Sequence, residues 1–160
     1  MDAPTHPLLI GIGNPLRGDD GAGYRLAATL LAEPDPSATP WQVLAVQQLT
    51  PDLAPAIANA RLVLFVDADL RTDRRPQQPR LEPIPSARRP RRWPDRFSHQ
   101  CHPAQLLELS GALYGQGPAA AWFLLLPARQ LRHGEDLSPS TARALAAGLQ
   151  LVRQWRQEDA

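Results

Sequence analysis

The run LVLFVDADL, Leu62 to Leu70, limits what this chain can become more than any other stretch. Its first five residues are apolar without alternation, which suits a central parallel strand buried on both faces rather than one with a wet side. Parallel strands need long crossovers, so the neighbouring segments should alternate strand with helix.

They do. Leu8 to Gly13 reads as a buried first strand, broken by Gly13-Asn14-Pro15. Gly21 to Ala32 reads as a helix ended by Pro34, with Tyr24, Leu26, Ala27, Leu30 and Leu31 on its apolar face. Gln42 to Val46 predicts the second strand. Thr50 as N-cap and Pro51 at the first helical position predict a short helix through Leu53 and Ile57 toward Ala60. After the third strand, the segment 71–96 is rich in proline and arginine, with Trp93 in its midst and one short strand at Arg80 to Ile84. It reads as a surface excursion. Leu106, Leu107, Leu109 and Leu113 space a helix over His102 to Tyr114, which Gly115 stops. Ala119 to Leu126 is another buried strand. Ser138-Pro139 opens the last helix, with Leu145, Leu149, Val152 and Trp155 as its inner stripe. The expected fold is therefore α/β: three layers, a mostly parallel twisted sheet of about five strands, and helices on both faces. The 160 residues suit a single domain spanning 1–160.

Composition removes several chemistries. All 17 residues counted as Lys+Arg are arginine, so a P-loop GK[ST], Schiff-base catalysis and a Ser-Lys pair are excluded. HExxH and GxSxG are absent too. One cysteine, Cys101, allows no internal disulfide and no zinc site needing two cysteines of one chain, in keeping with a reducing compartment. The net charge of +1 gives no overall pull toward nucleic acid or membrane, and no apolar run has the length of a signal peptide or a membrane span. The expectation is a cytoplasmic protein.

The chemistry gathers at the strand ends. Asp19 and Asp20 follow strand one, Asp67 and Asp69 follow the apolar part of strand three, and ligands of such sheets sit beyond the carboxyl ends of the strands. His99, Cys101 and His102 precede a helix and can reach the same edge. Carboxylates with an imidazole form a ligand set for a divalent metal such as nickel or zinc. Each aspartate alone also suits a helix cap or turn, and Cys101 with a neighbouring histidine could form a nucleophilic pair. GIGNPLRG fits a dinucleotide-binding loop poorly, because Leu16 stands at the third glycine position and no acid ends strand two. A phosphoacceptor receiver shares the acidic pair and the later aspartate, but it uses a lysine that is missing here.

GIGNPLRGDDGAG, followed by QQLTPDLA, LFVDA, SHQCHPAQLLELSGALYG and GEDLSPS, resembles the nickel-iron hydrogenase maturation endopeptidases over nearly the whole chain. That family removes a C-terminal extension from the hydrogenase large subunit after nickel insertion, and its fold is a mostly parallel sheet flanked by helices. The resemblance implies that Asp20, Asp67 and one histidine form a nickel-sensing cluster, with Asp20 and Asp67 the catalytic pair. Many relatives have glutamate at the position of Asp20. Aligning on the Ser98-His99 dipeptide makes His99 the metal-linked histidine, with His102 as the alternative. Gly18, Asp19 and Gly21 would form the stretch against which the substrate lies. Nickel would come with the substrate, with zinc or another divalent ion as a surrogate, and the partner would be the large-subunit precursor. Either a metal-polarised carbonyl meets carboxylate-activated water, or the metal only positions the substrate while the carboxylates do acid-base work. A binding or scaffold domain of the same fold would hold the precursor without shortening it.

Overall fold

The computed structural model describes residues 4–70, 78–85 and 101–158. Strand β1 (His6–Ile12) leads through a 3-10 turn, Gly18–Gly21, into α1 (Ala22–Leu31) and β2 (Gln42–Val46). A second 3-10 turn, Pro51–Leu53, opens α2 (Ala54–Ala58), which hands over to the long β3 (Ala60–Asp69). Then come β4 (Arg80–Pro83), α3 (Pro103–Tyr114), β5 (Ala120–Pro127) and α4 (Pro139–Glu158). The five strands form one sheet in the order β2-β1-β3-β5-β4, parallel throughout except for β4, which runs antiparallel to β5 at the edge. This is the expected α/β architecture.

Successive strand residues point to opposite faces. Leu9, Leu64, Val66, Leu124 and Leu126 pack with Leu26, Leu30, Leu149 and Val152 under α1 and α4. Leu8, Ile10, Val63, Phe65 and Ala121 pack with Leu53, Ile57 and Leu106 under α2 and α3. That two-sided burial explains the unalternating run of β3. Two residues expected inside are outside: Leu31 and Leu113 lie in the last turns of α1 and α3 and are 57% and 62% exposed. Thr50 stands at its N-cap in extended backbone, but its side chain makes no capping hydrogen bond. Among the described residues, no helix is long and apolar enough to cross a membrane.

The connections set where a ligand fits. From β1 the chain crosses through α1 to β2 on one side, whereas β3 is followed by connections toward β5 on the other. The order reverses between β1 and β3, and a crevice opens at the carboxyl ends of strands at such a point. Close packing seats α1 there. A Cβ on Gly23 would stand 2.3 Å from the carbonyl oxygen of Val66 and 2.5 Å from that of Ile12, so only glycine lets the helix lie against both strands.

Candidate active site

The loop after β1 is shaped by backbone contacts before any side chain acts. Gly13 has φ +141°, and a Cβ there would meet the carbonyl oxygen of Asp20 at 1.9 Å. The Gly18–Gly21 turn therefore folds back directly on Gly13, at the mouth of the β1–β3 crevice. Asn14 completes the turn. Its backbone N–H donates to Oδ2 of Asp20 over 3.0 Å, and its side-chain Oδ1 accepts from the N–H of Leu16 at 2.9 Å.

Asp19 and Asp20 are neighbours with opposite fates. Asp20 is half-buried at the crevice. Asp19 is closed to solvent, and its carboxylate accepts four hydrogen bonds: from the N–H groups of Arg129 and Gln130 at 2.8 Å each, from the N–H of Ser138 at 2.7 Å, and from the Ser138 hydroxyl at 2.8 Å. Burial works to raise the proton affinity of Asp19. The hydrogen bonds from Ser138, Arg129 and Gln130 outweigh it and hold the carboxyl below the usual range. Asp19, expected along the substrate-contacting stretch with Gly18 and Gly21, thus turns its carboxylate into the fold, because inward it meets four donors. Gly18 and Gly21 are buried as well, Gly18 at φ +57° against the backbone of Gln130 and Arg132, and Gly21 against Pro15.

Asp67 sits near the end of β3, half-buried, with Oδ1 accepting from the N–H of Ala68 at 2.8 Å. Its pKa is pushed up to about 7, chiefly by burial and further by the negative charges of Asp20 and Asp69, against the lowering effect of the Ala68 N–H. Asp69 is itself ion-paired to Arg80 at 2.5 Å. Two carboxylates that repel each other beside a crevice suit a cation, which would relieve the repulsion and displace the proton. Hard oxygen donors of this kind accept nickel or zinc when an imidazole joins them.

A small cavity beside Asp67 is lined by Cys101 and His102. His102 is buried and serves as the N-cap of α3: its Nδ1 accepts from the N–H of Ala104 at 3.2 Å, while Oε1 of Gln105 accepts from the N–H of His102 at 2.8 Å. Burial lowers its pKa, so the ring stays neutral. His99, the expected metal-linked histidine, lies outside the described residues, as do the arginines of 86–96. Among the described residues, no three His, Cys, Asp or Glu side chains close into a ready metal-binding group.

The sequence reading missed the partners of the acids. The Asn14 N–H, the N–H groups of Arg129 and Gln130, and Ser138 all act on the Asp19-Asp20 pair. Asn14, inside GxGN, and Ser138, inside GEDLSPS at the start of the last helix, carried local signals; Arg129 and Gln130 carried none.

No family model matches the chain, and no curated protein matches it. Solved structures do. The hydrogenase maturating endopeptidase HybD from E. coli superposes with a TM-score of 0.74 at 19% identity, over 98% of this chain and 94% of that one. The NiFe hydrogenase maturation protease HybD from Thermococcus kodakarensis gives 0.69 at 18% identity, over 95% and 99%. The hydrogenase 2 maturation peptidase from a Thaumarchaeota archaeon gives 0.67 at 21% identity, over 94% and 97%. With its sheet order, its crossovers and its full-length superposition on these proteins, the chain has the fold of the hydrogenase maturation endopeptidases.

Proposed function

We propose that this protein is a nickel-iron hydrogenase maturation endopeptidase that removes the C-terminal extension of a large-subunit precursor once nickel is in place. One observation carries the reading: Asp20 and Asp67, the two acids of the GxGNPLxGDDGxG and VDA motifs, are close enough at the β1–β3 switch point for the charge of one to raise the proton affinity of the other. The shared fold supports it.

Nickel is part of the substrate in this reading. The metal carried by the precursor would be held by Asp20 and Asp67, with His99 as the third ligand or, as the alternative, His102, which lines the small cavity beside Asp67. Without the metal the paired carboxylates repel each other, and Asp67 keeps a proton near neutrality. The protein therefore prefers a precursor that brings the cation. Of the two acids, Asp67, whose proton affinity burial raises, is the one that exchanges a proton with an attacking water. Water adds to the scissile carbonyl, its proton passes to the carboxylate, and that proton then goes to the departing amine nitrogen.

Incubating the full chain with purified nickel-loaded precursor and weighing the large subunit by mass spectrometry tests the activity. Loss of a C-terminal peptide is expected. Co-elution of an intact precursor with the protein would instead make the chain a scaffold of this fold.

A further inference from the structure

Asp19 spends its carboxylate on a distant part of the chain, three hydrogen bonds ending on Oδ2 and one on Oδ1. Its three N–H donors and one hydroxyl donor belong to Arg129, Gln130 and Ser138, all in or ending the loop between β5 and α4. The backbone repeats the connection: the N–H of Asp19 donates to the carbonyl of Gln130 at 2.9 Å, that of Gly18 to Gly134 at 2.9 Å, and that of Gly134 to Leu16 at 2.8 Å. Ser138 Oγ accepts in turn from the N–H of Thr141 at 3.4 Å, and the Thr141 hydroxyl donates to the carbonyl of Pro127 at the end of β5. The turn that carries Asp20 is thus fastened to the ends of β5 and α4.

From this we infer that Asp19 is the positioning residue of the site: its carboxylate clasp fixes where the neighbouring Asp20 carboxylate stands. The inference rests on the peptidase reading for its catalytic consequence. One peptide link separates the two acids inside a four-residue turn, so the socket that holds Asp19 also holds the backbone that carries Asp20. On the other side, the Asp20 carbonyl abuts Gly13 and its carboxylate takes the Asn14 N–H. Held from both sides, Asp20 meets an incoming cation without reorganising, and supporting groups of this kind hold ligands in productive geometry. The second aspartate of the GDDG turn is for the substrate, and the first is for the second.

Asp19→Asn tests this in the full chain. An amide keeps the size but points an N–H₂ at one of the donors, so the clasp opens. Ser138→Ala removes only the hydroxyl bond and serves if the first variant does not fold; Ser138→Thr restores a hydroxyl. For molecules shown to be folded by circular dichroism, kcat on the nickel-loaded precursor should fall about 10–100-fold in Asp19→Asn and less in Ser138→Ala, with KM unchanged and recovery in Ser138→Thr. Titration with Ni²⁺ alone should show affinity weakened by a similar factor, about 10–100-fold, in Asp19→Asn. If the wild type leaves the precursor intact, the peptidase reading falls, and the Ni²⁺ titration still decides the clasp. Folded variants with unchanged Ni²⁺ affinity, or with unchanged kcat on a precursor the wild type cleaves, overturn the inference and leave Asp19 a stabilising contact only.

Discussion

The backbone N–H of Asn14 donates to Oδ2 of Asp20 over 3.0 Å, so a residue of the turn that follows the first strand also aims the first acid of the site. Asp20 and Asp67 both remain half-buried, and the charge of Asp20 acts on Asp67. Neither carboxylate supports the core, which lies in the two apolar layers of the sheet. Asp20→Ala and Asp67→Ala should each abolish processing of the precursor while the far-ultraviolet circular dichroism spectrum stays that of the wild type. Processing at the wild-type rate by both variants would remove the site from the mechanism.

Asp67 makes stability depend on pH in a definite direction. Its carboxyl moves from 3.8 to about 7 on folding, so between those values the folded state binds more protons than the unfolded one. The stabilisation it gives is complete below about pH 4 and is lost as pH rises through about 7. Asp67→Asn, which mimics the protonated form, should therefore melt several degrees above the wild type at pH 8 and close to it at pH 4. Calorimetry at the two pH values checks this. Ni²⁺ affinity of the wild type should rise over the same interval, as the competing proton leaves.

The two histidines should separate by what they disturb. His102 caps α3 and makes a capping box with Gln105, so His102→Ala should cost about 1 kcal/mol and lower the melting temperature by a few degrees. His99, by its place in the Ser98-His99 dipeptide, should act on the metal. His99→Ala should cut processing far more than His102→Ala and leave the melting temperature unchanged. An inactive His102→Ala beside an active His99→Ala would move the ligand to the start of α3.

Gly23→Ala tests how tightly α1 must seat. The added Cβ would stand 2.3 Å from the Val66 carbonyl, a backbone atom that cannot rotate away. Helix and strand must separate, at a cost of about 1–3 kcal/mol. Because Val66 precedes Asp67, processing should fall along with the melting temperature.

The sheet was legible because its strands are written as apolar runs punctuated by glycine and proline, and the unalternating Leu62–Val66 required cover on both faces. The antiparallel β4 at the edge was visible as a short strand at Arg80, though its direction was not. The two acids of the loop could not be told apart by sequence. Both are aspartate, both stand in a GDDG turn, and the donors that draw Asp19 inward lie at Arg129, Gln130 and Ser138, 110 or more residues away. The cap at His102 was hidden for a similar reason: His102-Pro103 marks a helix start, but the imidazole's role as acceptor depends on its rotamer and its burial beside Asp67. Leu31 and Leu113, in the last turns of α1 and α3, face solvent, although helical spacing alone had placed them on the inner stripe.

The most direct test sets nickel-loaded and nickel-free large-subunit precursors side by side with the full chain, following the mass of each large subunit over time. The account predicts that the nickel-loaded precursor loses its C-terminal peptide, that the nickel-free one stays intact, and that Asp20→Ala and Asp67→Ala leave both intact. Equal shortening of both precursors, or of neither, would contradict it.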